Sequence, residues 1–254
     1  MLPSISLITP SYNQGPYIRK TVESVLNQAY PALEYLVVDG QSSDGTLPIL
    51  REYSHRLRLI SEPDRGQTDA LNKGLRAATG DIVGWLNSDD YLLPGALHEV
   101  GRFFEQHPDV SWLTGDCLIV DKDGRLIQQP IREYKRILRK LSPSFYLGIT
   151  NAICQPATFW RRSLHDRLGY LNENLRYTMD YDWWLRLAQL QPPAVLAKPL
   201  AAFRIHGASK GGSQFTEQFD EDYRTLIRHR PADWVRLLHR AHNEAIVGIY
   251  KLIK

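Results

Sequence analysis

The first hundred residues alternate between two hydrophobic periods. Short apolar runs, Ser4 to Thr9, Leu33 to Gly40, Leu57 to Ser61 and Asp81 to Leu86, read as strands. The stretches between them repeat apolar residues at helical spacing. Ile18, Val22, Val25 and Leu26 share one face within Gly15 to Gln28. Ala70, Leu71, Gly74, Leu75 and Ala78 share another, in a helix predicted to stop at Gly80. Leu97, Val100, Phe103 and Phe104 form a third. The run LEYLVVDG is nearly continuous in its apolar residues, as suits a parallel strand covered on both faces. Such alternation points to βαβ units around a parallel sheet. Ligands of these sheets bind beyond the carboxyl ends of the strands, so the loops there are where chemistry is sought.

After about residue 108 the pattern changes. VSWLTGDCLIVDKDGRLIQQP reads as short strands with a hairpin at DKDG. IREYKRILRKL is basic and amphipathic, with Arg132, Lys135, Arg136, Arg139 and Lys140 marking one polar side. MDYDWWLRLAQL is a helix ending before Pro192-Pro193, and HGASKGGSQ is a polar, glycine-rich loop. From Trp234 to Ile253 an apolar stripe runs through Trp234, Leu237, Leu238, Ala241, Ala245, Ile249 and Leu252. Docking on the core, pairing with another subunit and lying on a membrane would all use it.

The chain of 254 residues is 43% hydrophobic, enough for a sizeable core, in one large domain or two small ones. Its formal charge of +3 is too small to argue for nucleic acid, and fits a protein that handles anionic phosphates or rests near an anionic surface. Two cysteines, Cys117 and Cys154, outside any CxxC pair, suggest buried free thiols and a cytosolic setting. Neither a signal peptide nor a transmembrane run of ~20 apolar residues is expected.

Four strand-end loops carry polar residues. TPSYNQG (Thr9 to Gly15) offers hydroxyls and backbone N–H groups ahead of a helix. In VVDGQSSDGT, Asp39 ends a buried strand and could accept two hydrogen bonds from an imide or ribose edge, while Asp44-Gly45-Thr46 is turn-and-cap chemistry. SEPDRGQTDALNKG crowds Asp64, Arg65, Asp69 and Lys73 at a helix entry, where the cations could neutralise a diphosphate or simply form surface ion pairs. In LNSDDYLLPG, Asp89 and Asp90 repel each other, which a divalent cation beside a nucleotide diphosphate would offset.

Taken in order and spacing, TPSYN, VVDGQSSDGT, EPDRGQTDALNKG and GDIVGWLNSDDYLLPGAL resemble the inverting nucleotide-sugar glycosyltransferases of family 2. The likeness returns in CQPATFWRRSLHDRLGYLNENL, MDYDWWLRLA and FRIHGASKG. It implies an α/β GT-A fold, a mixed, mostly parallel central sheet flanked by helices, with a helical C-terminal region on the acceptor side. Residues 1–107 would then form the nucleotide-sugar-binding half and 108–230 the acceptor and catalytic-base half of the same domain, with 231–254 a C-terminal amphipathic helix.

By the same resemblance, Thr9, Pro10, Ser11 and Tyr12 would touch the nucleotide and Asp39 would read uracil or its ribose. Arg65, Asp69 and Lys73 would lie by the base or phosphates, with Lys210 gripping a phosphate. Aligned on Pro94, Asp90 takes the place of the direct ligand to Mn²⁺ or Mg²⁺. Asp89 falls toward the ribose or the metal's water shell, and His206 closes the metal side. Asn87 stands, neutral, where the fuller acidic motif has its first acid. Asp180 would be the catalytic base, with Met179 where the family has Glu. Asp182 is read as first-turn dipole compensation or an ion pair with Arg186, and Trp183 and Trp184 either fill the core or one of them floors the acceptor sugar.

The implied partners are a nucleotide-sugar donor, UDP-sugar favoured, and a glycan or lipid-linked acceptor, with no nucleic acid. Membrane contact at the inner face and a homodimer are left open. A sugar nucleotidyltransferase fits less well, because TPSYNQGPYIRK is not a glycine-rich phosphate loop. A non-catalytic nucleotide-sugar binder would have no need of Asp180.

Overall fold

The structure is a computed structural model. It describes residues 1–207 and 215–253, with side chains except those of residues 144, 215, 216 and 249–253. Lys210 and most of the glycine-rich loop lie outside the described residues.

Four parallel strands form the first half of the sheet: β1 (Ile5–Ser11), β2 (Leu33–Asp39), β3 (Arg58–Ser61) and β4 (Ile82–Trp85), side by side as β3-β2-β1-β4. Helices α1 (Gly15–Leu26), α2 (Thr46–Glu52) and α3 (Gln67–Ala77) connect them, and α4 (Ala96–Gln106) follows. Both sheet faces are covered, as the apolar runs require. Ile5, Leu7 and Val37 pack with Ile18, Val22, Leu97, Val100 and Phe104 on one side. Ile8 and Val38 pack with Leu71, Leu75 and Trp85 on the other. Each such fully buried side chain contributes about 1.5–3 kcal/mol.

Two helix details differ from expectation. Phe103 is only partly buried while its three partners on α4 are buried. Helix α3 ends at Ala77 without a left-handed glycine; Ala78 is already extended, with ψ 135°. Gly80 serves close packing instead, since a Cβ there would come within 2.7 Å of the Ser6 backbone nitrogen.

The sheet continues through β7 (Thr158–Arg161), β6 (Trp112–Val120), β8 (Ala194–Arg204) and β5 (Tyr91–Leu92), giving eight strands in all. β7 runs antiparallel to β4 and β6, β8 parallel to β6, and β5 antiparallel to β8. The segment expected as short strands is one nine-residue strand, β6, with register shifts around Asp116. Its turn at Asp121 to Gly124 is closed by hydrogen bonds from the Asp123 and Arg125 N–H groups to the Asp121 carboxylate, and a single bridge, Val120 to Leu126, follows. Because β5 from the first half pairs with β8 from the second, the loop after β4 is anchored between the two.

The remaining helices are α5 (Gln129–Leu138), α6 (Pro143–Ile149), α7 (Leu164–Leu168), α8 (Met179–Leu190), α9 (Phe215–Arg228) and α10 (Asp233–Ile253). The basic stretch on α5 is not one solvated side. Arg132 and the buried Arg139 turn inward onto Asp116, at 2.6 and 2.8 Å. Trp183 and Trp184 are fully buried, and Trp184 stacks between Trp85 and Trp112 with centroids 5.5 and 5.8 Å away. Both tryptophans therefore belong to the core and not to a sugar platform. Asp182 pairs with Arg186 at 2.9 Å, as expected, and also with His229 at 3.0 Å.

Helix α10 docks through a face other than its apolar stripe. His239 and Asn243 are buried, and His239 reaches Asp222 at 2.7 Å, while Trp234, Leu237 and Leu238 stay exposed. Polar pairing within the molecule has decided the rotation of this helix. No helix among the described residues is long and apolar enough to cross a membrane. Cys117 and Cys154 are buried free thiols.

Candidate active site

The loops after β1 and β2 are laced together into a cradle. The fully buried Asp39 carboxylate accepts the Ser42 N–H at 2.8 Å and the Ser42 hydroxyl at 2.6 Å. Ser42 Oγ in turn accepts the Asn13 N–H, and Asn13 Oδ1 accepts the Ser43 N–H, with Asn13 in the left-handed region at φ 53°. Asp44 takes the Gly15 N–H at 3.0 Å and the Thr46 N–H at 2.9 Å, joining the starts of α1 and α2. A carboxylate has about four acceptor positions, so Asp39 retains capacity for a ligand donor.

The expected nucleotide contacts divide here. Thr9 is buried and its hydroxyl meets the Tyr35 hydroxyl at 3.1 Å, so that group is engaged in the core instead of the cradle. Pro10 is buried beside it. Ser11 Oγ is buried without a hydrogen-bond partner, and Tyr12 is 60% exposed. These two flank the cradle with one buried, unpartnered hydroxyl and one exposed ring.

At the entry to α3, Arg65 bridges Asp69 at 3.1 Å and Glu173 at 2.5 Å. The Arg65 guanidinium beside it holds the Asp69 carboxyl below the usual range. Lys73 forms ion pairs with Glu62 at 3.0 Å and Asp69 at 3.5 Å, and donates to the Pro63 carbonyl at 2.6 Å. A cleft of about 500 Å³ opens alongside, lined by Arg65, Gln67, Asp69, Glu173, Leu175 and Arg176.

The two acids of the loop after β4 have opposite surroundings. Asp90 is fully buried; its Oδ1 accepts the Arg204 N–H at 2.8 Å and its Oδ2 the Asn87 amide at 3.3 Å. Burial, and then the neighbouring Asp89, push its carboxyl well up. Asp89 is partly open, and its Oδ2 lies 3.1 Å from His206 Nε2. The carboxylate that faces outward, toward the histidine, is therefore Asp89. Asp90, expected from the alignment on Pro94 to be the direct ligand, points into the loop's own scaffold. The Tyr17 ring leans on His206, tilted by 31° with centroids 4.4 Å apart, and Thr21 Oγ1 donates to the carbonyls of Ser88 and Asp90, so α1 fixes the loop from behind.

Asp89 and His206 offer one hard oxygen and one nitrogen donor, face to face. No third His, Cys, Asp or Glu among the described residues completes a protein cage. That donor set fits a Mg²⁺- or Mn²⁺-like ion whose other positions fall to ligand oxygens and water.

Asp180 opens α8, in the first turn. The residue is half-buried, and its chain neighbours Met179 and Tyr181 are buried. It accepts the Asn151 amide at 3.1 Å and the Tyr181 N–H at 2.7 Å. Burial outweighs these bonds and pushes its pKa up to about 6. Asn151 Oδ1, on the same side chain, is buried and unpartnered.

Sequence reasoning missed the residues that join these parts. Asn87 donates to Gln155 Oε1 at 3.1 Å and accepts from Gln67 Nε2 at 2.8 Å, and Gln155 Nε2 donates to the Trp85 carbonyl at 2.8 Å. The segment from Asn151 to Gln155 thus touches Asp180 at one end and the acidic loop at the other. The motif CQPATFW marked its neighbourhood, but nothing in the residue order paired it with Asn87.

This topology defines a GT-A fold. The TarS fragment of S. aureus solved with UDP-GlcNAc superposes with a TM-score of 0.70 at 22% identity, over 92% of this chain and 69% of that one. The mannosyltransferase PcManGT of Pyrobaculum calidifontis, solved with GDP-Man and Mn²⁺, gives 0.72 at 22%, over 96% and 70%. The glycosyl transferase family 2 model matches residues 6–169, and the chain belongs to that family. It is 31% identical to chondroitin synthase of Escherichia coli, over 89% of this chain and 32% of that protein. It is 27% identical to an uncharacterised glycosyltransferase of Rickettsia typhi, over 88% and 70%.

Proposed function

We propose that the protein is a metal-dependent inverting glycosyltransferase that moves a sugar from a nucleoside diphosphate to a hydroxyl acceptor. The observation that carries this is the segment from Asn151 to Gln155, which connects a raised carboxyl at Asp180 to the acidic loop that faces His206. A transferase needs a proton acceptor and a diphosphate-binding end in fixed relation, whereas a nucleotide-sugar binder needs only the second.

Asp39 and the Ser11–Tyr12 edge receive the nucleoside, with Arg65 and Asp69 at the mouth of the neighbouring cleft. Lys210 is assigned to the diphosphate on the resemblance alone. Asp89 and His206 would hold Mn²⁺ or Mg²⁺, which when bound supplies Lewis-acid stabilisation to a leaving diphosphate. Asp90 keeps the loop in shape. Asp180 takes the proton from the acceptor hydroxyl as its oxygen bonds to the anomeric carbon and the bond from that carbon to the diphosphate oxygen breaks. A pKa near 6 leaves Asp180 ionised at neutral pH while making it more basic than an ordinary aspartate.

UDP is the favoured nucleotide and a glycan or lipid-linked sugar the acceptor, in polysaccharide or cell-surface glycan synthesis. The likeness to chondroitin synthase supports the polymer setting, and the fold itself admits either base, since the two solved neighbours carry UDP-GlcNAc and GDP-Man. A thermal-shift screen of UDP- and GDP-sugars with and without Mn²⁺ tests the reading. Stabilisation by a nucleotide sugar that requires the metal, and is lost in Asp89→Asn, is expected. No metal-dependent shift with any donor would overturn it.

A further inference from the structure

Three neighbouring helices leave an apolar surface open. Seven of the twelve large hydrophobic side chains exposed among the described residues lie on α5 and the turn after it, on α6 and on α10. On α5 and its turn they are Tyr134, Ile137 and Leu141, whose spacing of three and four residues keeps them on one side. Phe145 adds to them from α6. Trp234, Leu237 and Leu238 share the outer side of α10, away from the buried His239 and Asn243, and Leu237 is 72% exposed. The Tyr134 hydroxyl lies 2.8 Å from His242 Nε2 and the two rings stack, which sets α5 alongside α10. His242 is one turn on from Leu238, so the α5 residues continue the α10 stripe. His239 Nδ1 lies 3.1 Å from the Gly148 carbonyl, which holds α6 against the same helix.

The charges around this surface favour one sign. All three acids of these helices, Glu133, Asp233 and Glu244, are held in ion pairs with Arg136, Arg236 and Arg240. Lys140 is exposed and forms no ion pair among the described residues. Arg136 and Lys140 also rim a cleft of about 220 Å³ walled by Val195, Leu196 and Ala197, in which Arg132 and Arg139 hold the Asp116 carboxylate. An open apolar patch of this kind marks an interaction surface. A bilayer with anionic headgroups matches both of its parts: Trp, Phe and Leu enter the headgroup boundary, and basic side chains at the edge reach the phosphates. A second copy meeting the same face about a two-fold axis would bring surplus cations against surplus cations, with no counter-charge. We infer that the exposed sides of α5, α6 and α10 rest on an anionic phospholipid surface. This contact does not depend on the proposed function; under that function it places the enzyme where a lipid-linked acceptor lies.

Flotation of the full chain with phosphatidylcholine vesicles containing about a quarter phosphatidylglycerol tests the contact. Wild type is expected to float with them, and about fivefold less with phosphatidylcholine alone. Trp234→Ser/Leu237→Ser should lose about tenfold or more in vesicle affinity, with the urea midpoint of unfolding unchanged because both side chains are exposed. Lys140→Glu should lose about fivefold on the anionic vesicles and little on the neutral ones. No flotation of wild type, or equal flotation of wild type and the double variant, overturns the inference. A wild-type dimer in sedimentation velocity that the double variant dissociates, without vesicle binding, also overturns it and gives the face to a second copy. Vesicle binding by a chain that no nucleotide sugar stabilises would sink the proposed function and leave the membrane contact standing.

Discussion

Asp69 and Asp180 each occupy the first turn of a helix, α3 and α8. A helix N-terminus favours negative charge, so both positions would be expected to hold a comfortable anion. Their carboxyls move in opposite directions. Arg65 pulls Asp69 down, with a side-chain bond and a backbone bond of about equal length. Among the described residues Asp180 forms no ion pair; it accepts one amide and its neighbour's N–H, the Lys135 charge acts only as a minor opposing influence, and burial carries it up to about 6. What separates an acid held down by a cation from one that can take a proton is therefore the partner, and whether it offsets the cost of desolvation, not the place in the helix.

The largest expected break of this contrast is Asp180→Asn. It should cut kcat by about a thousandfold, within the range a general base supplies, while donor binding by calorimetry stays within twofold. The same change should stabilise the fold. A carboxyl whose folded pKa is raised costs stability as pH climbs from its unfolded value, about 4, through about 6. At pH 7 Asp180→Asn is thus expected to unfold at higher denaturant, by up to about 3 kcal/mol, and at pH 3 the gain should vanish. A loss of stability at pH 7 would contradict the burial argument.

Asp89→Asn comes next, with a loss of about a hundredfold in metal-dependent donor affinity. Asp90→Asn should instead leave metal dependence largely intact, because its oxygens serve the loop. This reverses the order expected from alignment alone. Smaller still is the effect of Asn151→Leu, which removes a donor to the Asp180 carboxylate. The acid limb of the kcat profile, rising to a plateau above about pH 6 in wild type, should move to higher pH by about half a unit. Arg65→Gln, on the side where the cation is 76% exposed, should raise donor KM only about threefold, with kcat unchanged.

The parallel half of the sheet was legible because its period is local: Ile5 to Val38 declare their strands residue by residue. The strand-end loops were legible for the same reason, since a carboxylate after an apolar run stands out. The facing of Asp89 and Asp90 was not. It is fixed by the N–H of Arg204, 114 residues away, and adjacency in sequence says only that the two point differently. The α10 stripe left its use open because apolar spacing cannot register the Asp222–His239 pair that turns the helix. Lys73 looked like a phosphate ligand by charge, yet Glu62 and the Pro63 carbonyl had claimed it.

The neutral residue in the acidic loop has a grammar of its own. Asn87 gives its hydrogens to Asp90 and Gln155 and takes one from Gln67, while Gln155 gives to Trp85. Every amide in this chain has a direction, and each direction is set by the next. An aspartate at 87 would turn two gifts into two refusals: Asp90 would face a second anion, and Gln155 would have to reverse, setting its oxygen against the Trp85 carbonyl. Positions 87 and 155 are thus spelled together, and a sequence with an acid at 87 must respell 155, while the Gln67 amide would still find an oxygen to donate to.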